Sequence, residues 1–121
     1  MKTKGLKEKK KRSAGIHLVA DFWCEKIPED PLLIKKILYE SAFRANNTPL
    51  KFLYHRFQPQ GFTAVLLLKE SHLSLHSWPE LNYLAIDIFT CGKNTKPHQA
   101  LKYLQKFFQP RKIKVKELFR G

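Results

Sequence analysis

The stretch KESHLSLHSWPE, residues 69–80, sets a Glu70–Ser71 peptide bond beside two imidazoles, His72 and His76. A serine hydroxyl can attack the carbonyl carbon that precedes it and turn the amide into an ester. That step needs backbone strain and donors for the developing oxyanion. A base that then takes the serine α-proton expels the ester by β-elimination, and the dehydroalanine left behind hydrolyses to a pyruvoyl group and ammonia. Imidazole changes charge near neutral pH and suits that work. Taken singly, these residues have plainer readings. A serine usually serves a turn or a cap. His72 and His76, four apart on a strand, lie on one side without closing on an ion, and no carboxylate-rich third ligand is evident, so no metal site is expected. Cys91 closes an apolar strand, where a thiol ordinarily behaves as a small buried hydrophobe. Asp87, in the same strand, needs a partner that the sequence does not identify.

Periodicity predicts the frame around these groups. Ile16, Leu18, Ala20 and Phe22 alternate with His17, Val19, Asp21 and Trp23, the period of a strand. Asp30 is placed to cap a helix whose first turn holds Pro31 and whose inner face carries Ile34, Leu38 and Ala42. Residues 50–57 read as a second strand, QPQG as a turn, and residues 61–69 as a central strand apolar on both faces. Leu73 and Leu75 mark a short strand that Trp78-Pro79 ends, and residues 83–91 form another. Ala100, Leu101, Leu104, Phe107 and Phe108 fall on one face of a second helix, and Ile113 and Val115 alternate with lysines in a closing strand. The order βαββββαβ predicts an α+β two-layer sandwich, an antiparallel sheet with both helices on one face. Because the central strands are apolar on both sides, the other face is expected to meet a second sheet across a dimer.

The chain has 121 residues, a net charge of +13, and 43% hydrophobic residues, which excludes a disordered protein. The basic excess sits at the ends, +6 over residues 1–13 and +4 over residues 111–121. The first reads as a solvated flexible tail ahead of one domain, 14–121, rather than as a nucleic-acid surface. No apolar run approaches the roughly twenty residues of a membrane span, and the run from Ile16 is broken by His17 and Asp21, which argues against a signal peptide. Cys24 and Cys91 form neither a disulfide framework nor a CxxC knuckle, so a cytoplasmic location with reduced thiols is expected.

HRFQPQG, ESHLSLHSWPE and FTCG follow one another in a pattern that closely resembles the short bacterial and archaeal S-adenosylmethionine decarboxylase proenzymes, over essentially residues 14–121. The resemblance implies self-cleavage at Glu70–Ser71 into a β chain, 1–70, and an α chain, 71–121, that begins with a covalent pyruvoyl cofactor made from Ser71. It makes His76 the proton acceptor in processing and Cys91 the proton donor in catalysis; an unperturbed thiol, with a pKa of about 8.5, keeps its proton at neutral pH. Thr63 stands where the family usually has a serine that steadies the acyl-shift intermediate; the hydroxyl is kept and its rotamers are more restricted. Ala64 follows where a glycine is common. Phe57 is implied as the residue that stacks on the substrate's sulfonium and adenine, and Glu80 as a pocket residue. The pyruvoyl carbonyl would condense with the amine of S-adenosylmethionine to a Schiff base that draws electrons from the α-carbon, doing the work of pyridoxal phosphate. The product is the aminopropyl donor for spermidine synthesis, and the enzyme is expected to work as an (αβ)₂ homodimer of αβ units.

Three rivals have distinct signatures. A pyruvoyl-dependent arginine decarboxylase on the same scaffold differs in substrate. A basic nucleic-acid-binding module would show steep salt dependence, and the chain lacks the aromatic signature of an RNA-binding sheet. A regulatory relative dead to processing would not need Ser71, His76 and Cys91 together.

Overall fold

The computed structural model describes residues 13–121, so the basic tail expected over 1–13 lies, except for Ser13, outside the described residues. The first strand, β1 (Gly15–Trp23), buries Ile16, Leu18, Ala20 and Phe22 on one side and leaves His17, Val19, Asp21 and Trp23 half-buried on the other. Helix α1 (Pro31–Arg44) begins where the Asp30 carboxylate accepts the Leu33 N–H at 3.1 Å, with proline in its first turn. Its inner face is Ile34, Ile37, Leu38, Ser41 and Ala42. Four strands follow, β2 (Pro49–Arg56), β3 (Phe62–Leu68), β4 (Ser71–Trp78) and β5 (Tyr83–Cys91). Helix α2 (Pro97–Phe108) buries Ala100, Leu104 and Phe108, and β6 (Lys112–Arg120) closes the sheet.

The six strands lie in the order β2-β3-β4-β5-β1-β6, and every neighbouring pair is antiparallel. This is the expected α+β arrangement. Both helices cover one face, where Leu18, Phe22, Phe62, Leu66, Leu75 and Ile86 pack with Ile34, Ile37 and Leu38 in one core. Each such fully buried side chain contributes about 1.5–3 kcal/mol.

The third strand, expected over residues 61–69, spans Phe62–Leu68, so Gly61 falls in the turn before it. The fourth strand runs from Ser71 through Trp78, ending at Trp78-Pro79 as expected, and is followed by a single 3₁₀ turn at Pro79–Leu81. It pairs with β3 on one side and β5 on the other, and these ladders hold ends that alternation alone does not mark. Gly61 ends the turn after β2 with φ at +98°, a conformation that glycine adopts without a steric penalty, and its carbonyl accepts the Phe57 N–H at 2.8 Å.

The face opposite the helices is open. The register lines up His55, Thr63, His76, Ala85, Asp21 and Lys114 in one row across the sheet. It lines up Lys51, Leu67, His72, Phe89, His17 and Leu118 in another. Leu53, Leu67, Trp78 and Leu118 on this face are 43–59% exposed.

Candidate active site

Lys69 and Glu70 alone separate β3 from β4, so the Glu70–Ser71 bond sits at the tip of a tight hairpin. Ser71 has φ at +147°, a region that non-glycine residues occupy at a cost of about 1–3 kcal/mol. The start of β2 holds the turn in that shape. The Glu70 carboxylate accepts the Thr48 N–H at 2.8 Å and the Thr48 hydroxyl at 3.1 Å, while the Lys69 N–H donates to the Thr48 carbonyl at 2.9 Å. Burial acts to raise the Glu70 pKa, but the Thr48 hydrogen bonds, Glu70's own N–H and the Lys69 charge outweigh it and hold the carboxyl below the usual glutamate value. This grip is therefore complete above the unfolded-state pKa and is lost as pH falls through the lower folded one.

Two contacts reach the bond, and the Cys91 thiol lies at the same end of the sheet. The Glu70 carbonyl oxygen accepts the Cys91 backbone N–H at 3.0 Å, which polarises the carbon that the Ser71 hydroxyl would attack and supplies a donor for an oxyanion there. Ser71 Oγ lies 3.3 Å from His72 Nδ1. Burial pushes the His72 imidazole down; Asp87 opposes that shift, and His17 and Arg120 add to it. The Cys91 side chain is half-buried at the end of β5, brought to this end of the sheet because Ser71 pairs with Thr90.

Gly15 pairs with Cys91 across β1 and β5, and a Cβ on it would stand 2.9 Å from the Cys91 Sγ and 2.7 Å from the Thr90 carbonyl oxygen. The glycine keeps the space that the thiol occupies. Gly15→Ala is expected to cost about 1–3 kcal/mol, because backbone carbonyl as well as side chain must move. At about 2–8 °C per kcal/mol, the range that brackets a domain of this size, the loss is visible in a thermal melt. A variant that melts with the wild type would contradict the close packing. Cys24, by contrast, is buried in the core, and burial pushes its thiol up to about 11, so it stays protonated and takes no part in the site.

The other expected site residues gather at the far end of β4. Thr63 Oγ1 and His76 Nδ1 are hydrogen-bonded at 3.1 Å. The His76 ring lies 6.4 Å from Trp78, which stacks on Tyr83 at 5.5 Å, and Tyr83 lies 5.6 Å from Trp23. Phe57 follows β2, half-exposed, with its ring edge-on to His55 at 4.7 Å. Glu80 is exposed in the 3₁₀ turn. His76 is five residues along the strand from Ser71, which at roughly 3.3 Å per residue is about 17 Å. The candidate residues thus fall into two groups, Glu70, Ser71, His72 and Cys91 at one end of β4 and Phe57, Thr63, His76 and Glu80 at the other.

The partner that Asp87 requires is found between these ends. Its carboxylate meets His17 Nε2 at 3.0 Å and accepts the Ser74 hydroxyl at 3.1 Å. Sequence reasoning missed Thr48, Gly15 and the contact of His72 with Ser71. Thr48 and Gly15 act on residues far away in the chain, and no local pattern marks them. Among the described residues no group of three or more His, Cys, Asp or Glu could hold a metal ion, and no helix is long and apolar enough to cross a membrane.

The family model for S-adenosylmethionine decarboxylase matches residues 16–121. The S-adenosylmethionine decarboxylase proenzyme of Methanococcus maripaludis is 40% identical over 112 residues, covering 91% of this chain and 92% of its own. That of Thermosipho melanesiensis is 38% identical, with 91% of this chain and 86% of its own covered. The crystal structure of the adenosylmethionine decarboxylase from Aquifex aeolicus matches this fold with a TM-score of 0.81 at 32% identity, over 90% of this chain and 92% of that one.

Proposed function

The chain belongs to the S-adenosylmethionine decarboxylase family, and from that premise we propose that it cuts itself at Glu70–Ser71 and decarboxylates S-adenosylmethionine in a site shared by two copies. The observation that carries this reading is the hairpin tip. Ser71 is held at φ +147° with the Cys91 N–H already on the Glu70 carbonyl, the strain and the donor that an N-to-O acyl shift needs.

In processing, Ser71 Oγ bonds to the Glu70 carbonyl carbon as the C–N bond breaks, and the Cys91 N–H meets the negative charge on the oxygen. An imidazole then removes the Ser71 α-proton and the ester leaves as the C-terminal α-carboxylate of Glu70, which ends the β chain, 1–70; the dehydroalanine at position 71 takes up water and releases ammonia, which opens the α chain, 71–121. The resulting pyruvoyl group supplies an electron-withdrawing carbonyl to the amine-bearing carbon of the substrate, as pyridoxal phosphate does elsewhere. The residues around position 71 fit such a group: the hairpin presents the chain end beside a donor N–H and a half-buried thiol. Cys91 holds at Sγ the proton that the substrate carbon receives, and the aromatic faces of Phe57 and its neighbours suit a sulfonium and a purine. The product is the aminopropyl donor for spermidine synthesis.

The imidazole that serves elimination is His76, yet within one chain it is about 17 Å from Ser71 by strand rise. A two-fold axis through the open face resolves this, since it lays the far end of one sheet over the near end of the other and makes each contact twice. The partner subunit's Thr63 and the partner subunit's His76 then complete the site around Ser71. The half-exposed Leu53, Leu67, Trp78 and Leu118 are covered in the same step.

Release of labelled carbon dioxide from carboxyl-labelled S-adenosylmethionine and arginine tests the substrate. Turnover of the former alone is expected. Turnover of arginine alone would reassign the chain to the arginine-specific branch of the same chemistry.

A further inference from the structure

We propose that His72 is the base of the acyl shift, taking the Ser71 hydroxyl proton at Nδ1 and returning it to the Ser71 nitrogen as the peptide bond breaks. This rests on the self-cleavage reading above and adds a separate residue for its first step.

Neighbouring side chains on a regular strand point to opposite faces, so Ser71 and His72 should not meet. They do meet, Oγ to Nδ1 at 3.3 Å, where Ser71 departs from strand geometry with φ at +147°. The distance is slightly long for a finished hydrogen bond and ordinary for a catalytic one before the reaction tightens it. The imidazole is fixed by packing: it stands edge-on to Phe89 at 5.9 Å, in the row that joins Leu67, Phe89 and His17. In the tautomer with its single N–H on Nε2, the ring presents the Nδ1 lone pair to the hydroxyl. The titratable and charged groups around the ring are Asp87 on β5, His17 on β1 and Arg120 on β6. Their sum with burial lowers the imidazole's pKa, which leaves it uncharged at neutral pH and able to accept.

The step balances without any added reagent. The Oγ–H proton passes to Nδ1, Oγ bonds to the Glu70 carbonyl carbon, and the oxygen's charge is met by the Cys91 N–H. The C–N bond then breaks and the imidazolium gives its proton to the departing nitrogen, so His72 ends as it began and the chain has isomerised to an ester. His76 acts later, on the α-proton. The rival arrangement is one imidazole, the partner subunit's His76, for both steps.

A His76→Ala chain separates the two, because an ester formed there cannot eliminate and hydroxylamine cuts it between residues 70 and 71. The expected result is a hydroxylamine-sensitive His76→Ala protein whose ester formation rises with pH through a midpoint below 6.5 and is flat by neutrality. Adding His72→Asn, which keeps an acceptor oxygen near the Ser71 hydroxyl but no basicity, is expected to slow ester formation by about 10²–10⁴-fold. Imidazole in solution should restore part of the rate to His72→Ala/His76→Ala. His72→Gln repeats the test with a longer amide, and thermal melts identify any variant that fails to fold. Ester formation at an unchanged rate and pH profile in His72→Asn/His76→Ala would overturn the proposal. So would a His76→Ala chain that forms no ester while the wild type cuts. A wild-type chain that stays whole removes the self-cleavage reading itself, and the role of His72 with it.

Discussion

Ser71→Ala is expected to yield one uncut chain with no decarboxylation above background. The side chain that would attack the Glu70 carbonyl is gone, and with it the residue from which the proposed pyruvoyl group would form. Loss of an acid or base costs about 10²–10⁴-fold; loss of the group through which the substrate reacts removes the covalent route altogether. The fold should survive, because the change deletes a single hydrogen bond to His72, worth about 0.5–1.5 kcal/mol. Intact mass and a thermal melt, read beside carbon dioxide release, separate these effects. A folded Ser71→Ala protein that still decarboxylates would refute the role of Ser71.

Mixing two inactive chains should restore cleavage. His76→Ala keeps the nucleophile and Ser71→Ala keeps the imidazole, so neither is cut alone. In a mixed dimer across the open face, the Ser71 of the His76→Ala chain meets an intact His76 from its partner. Only the His76→Ala chain is then cut, and in an equimolar random mixture about half of it is, since half of its copies pair with the other variant. The effect runs from no cleavage to about half. A co-expressed mixture that stays whole, with dimers present, would contradict a site shared between subunits.

Much of the candidate site was legible because the chemistry its residues could do is local. Glu70–Ser71 at a hairpin tip follows from two strand patterns with a two-residue gap, and the Asp30 cap with Pro31 fixed the start of α1. That Ser71 and His76 stand at opposite ends of β4 is a consequence of their five-residue separation on one extended strand. The rest depends on pairing between distant parts of the chain. The Thr48 grip on Glu70 spans 22 residues, and the clearance that Gly15 gives Cys91 requires knowing that β1 lies beside β5. Asp87 read as an unexplained carboxylate until the same adjacency set His17 against it. The meeting of Ser71 with His72 runs against strand alternation and follows from a single backbone angle, which no pattern of residue types encodes.

The most direct test of self-cleavage is the intact mass of freshly purified protein under denaturing conditions, followed by an amine tag and a carbonyl reagent. Two polypeptides are predicted, residues 1–70 and 71–121, the second unreactive to the amine tag at its first residue and reactive to the carbonyl reagent there. One species at 14.2 kDa that persists through prolonged incubation would contradict the account.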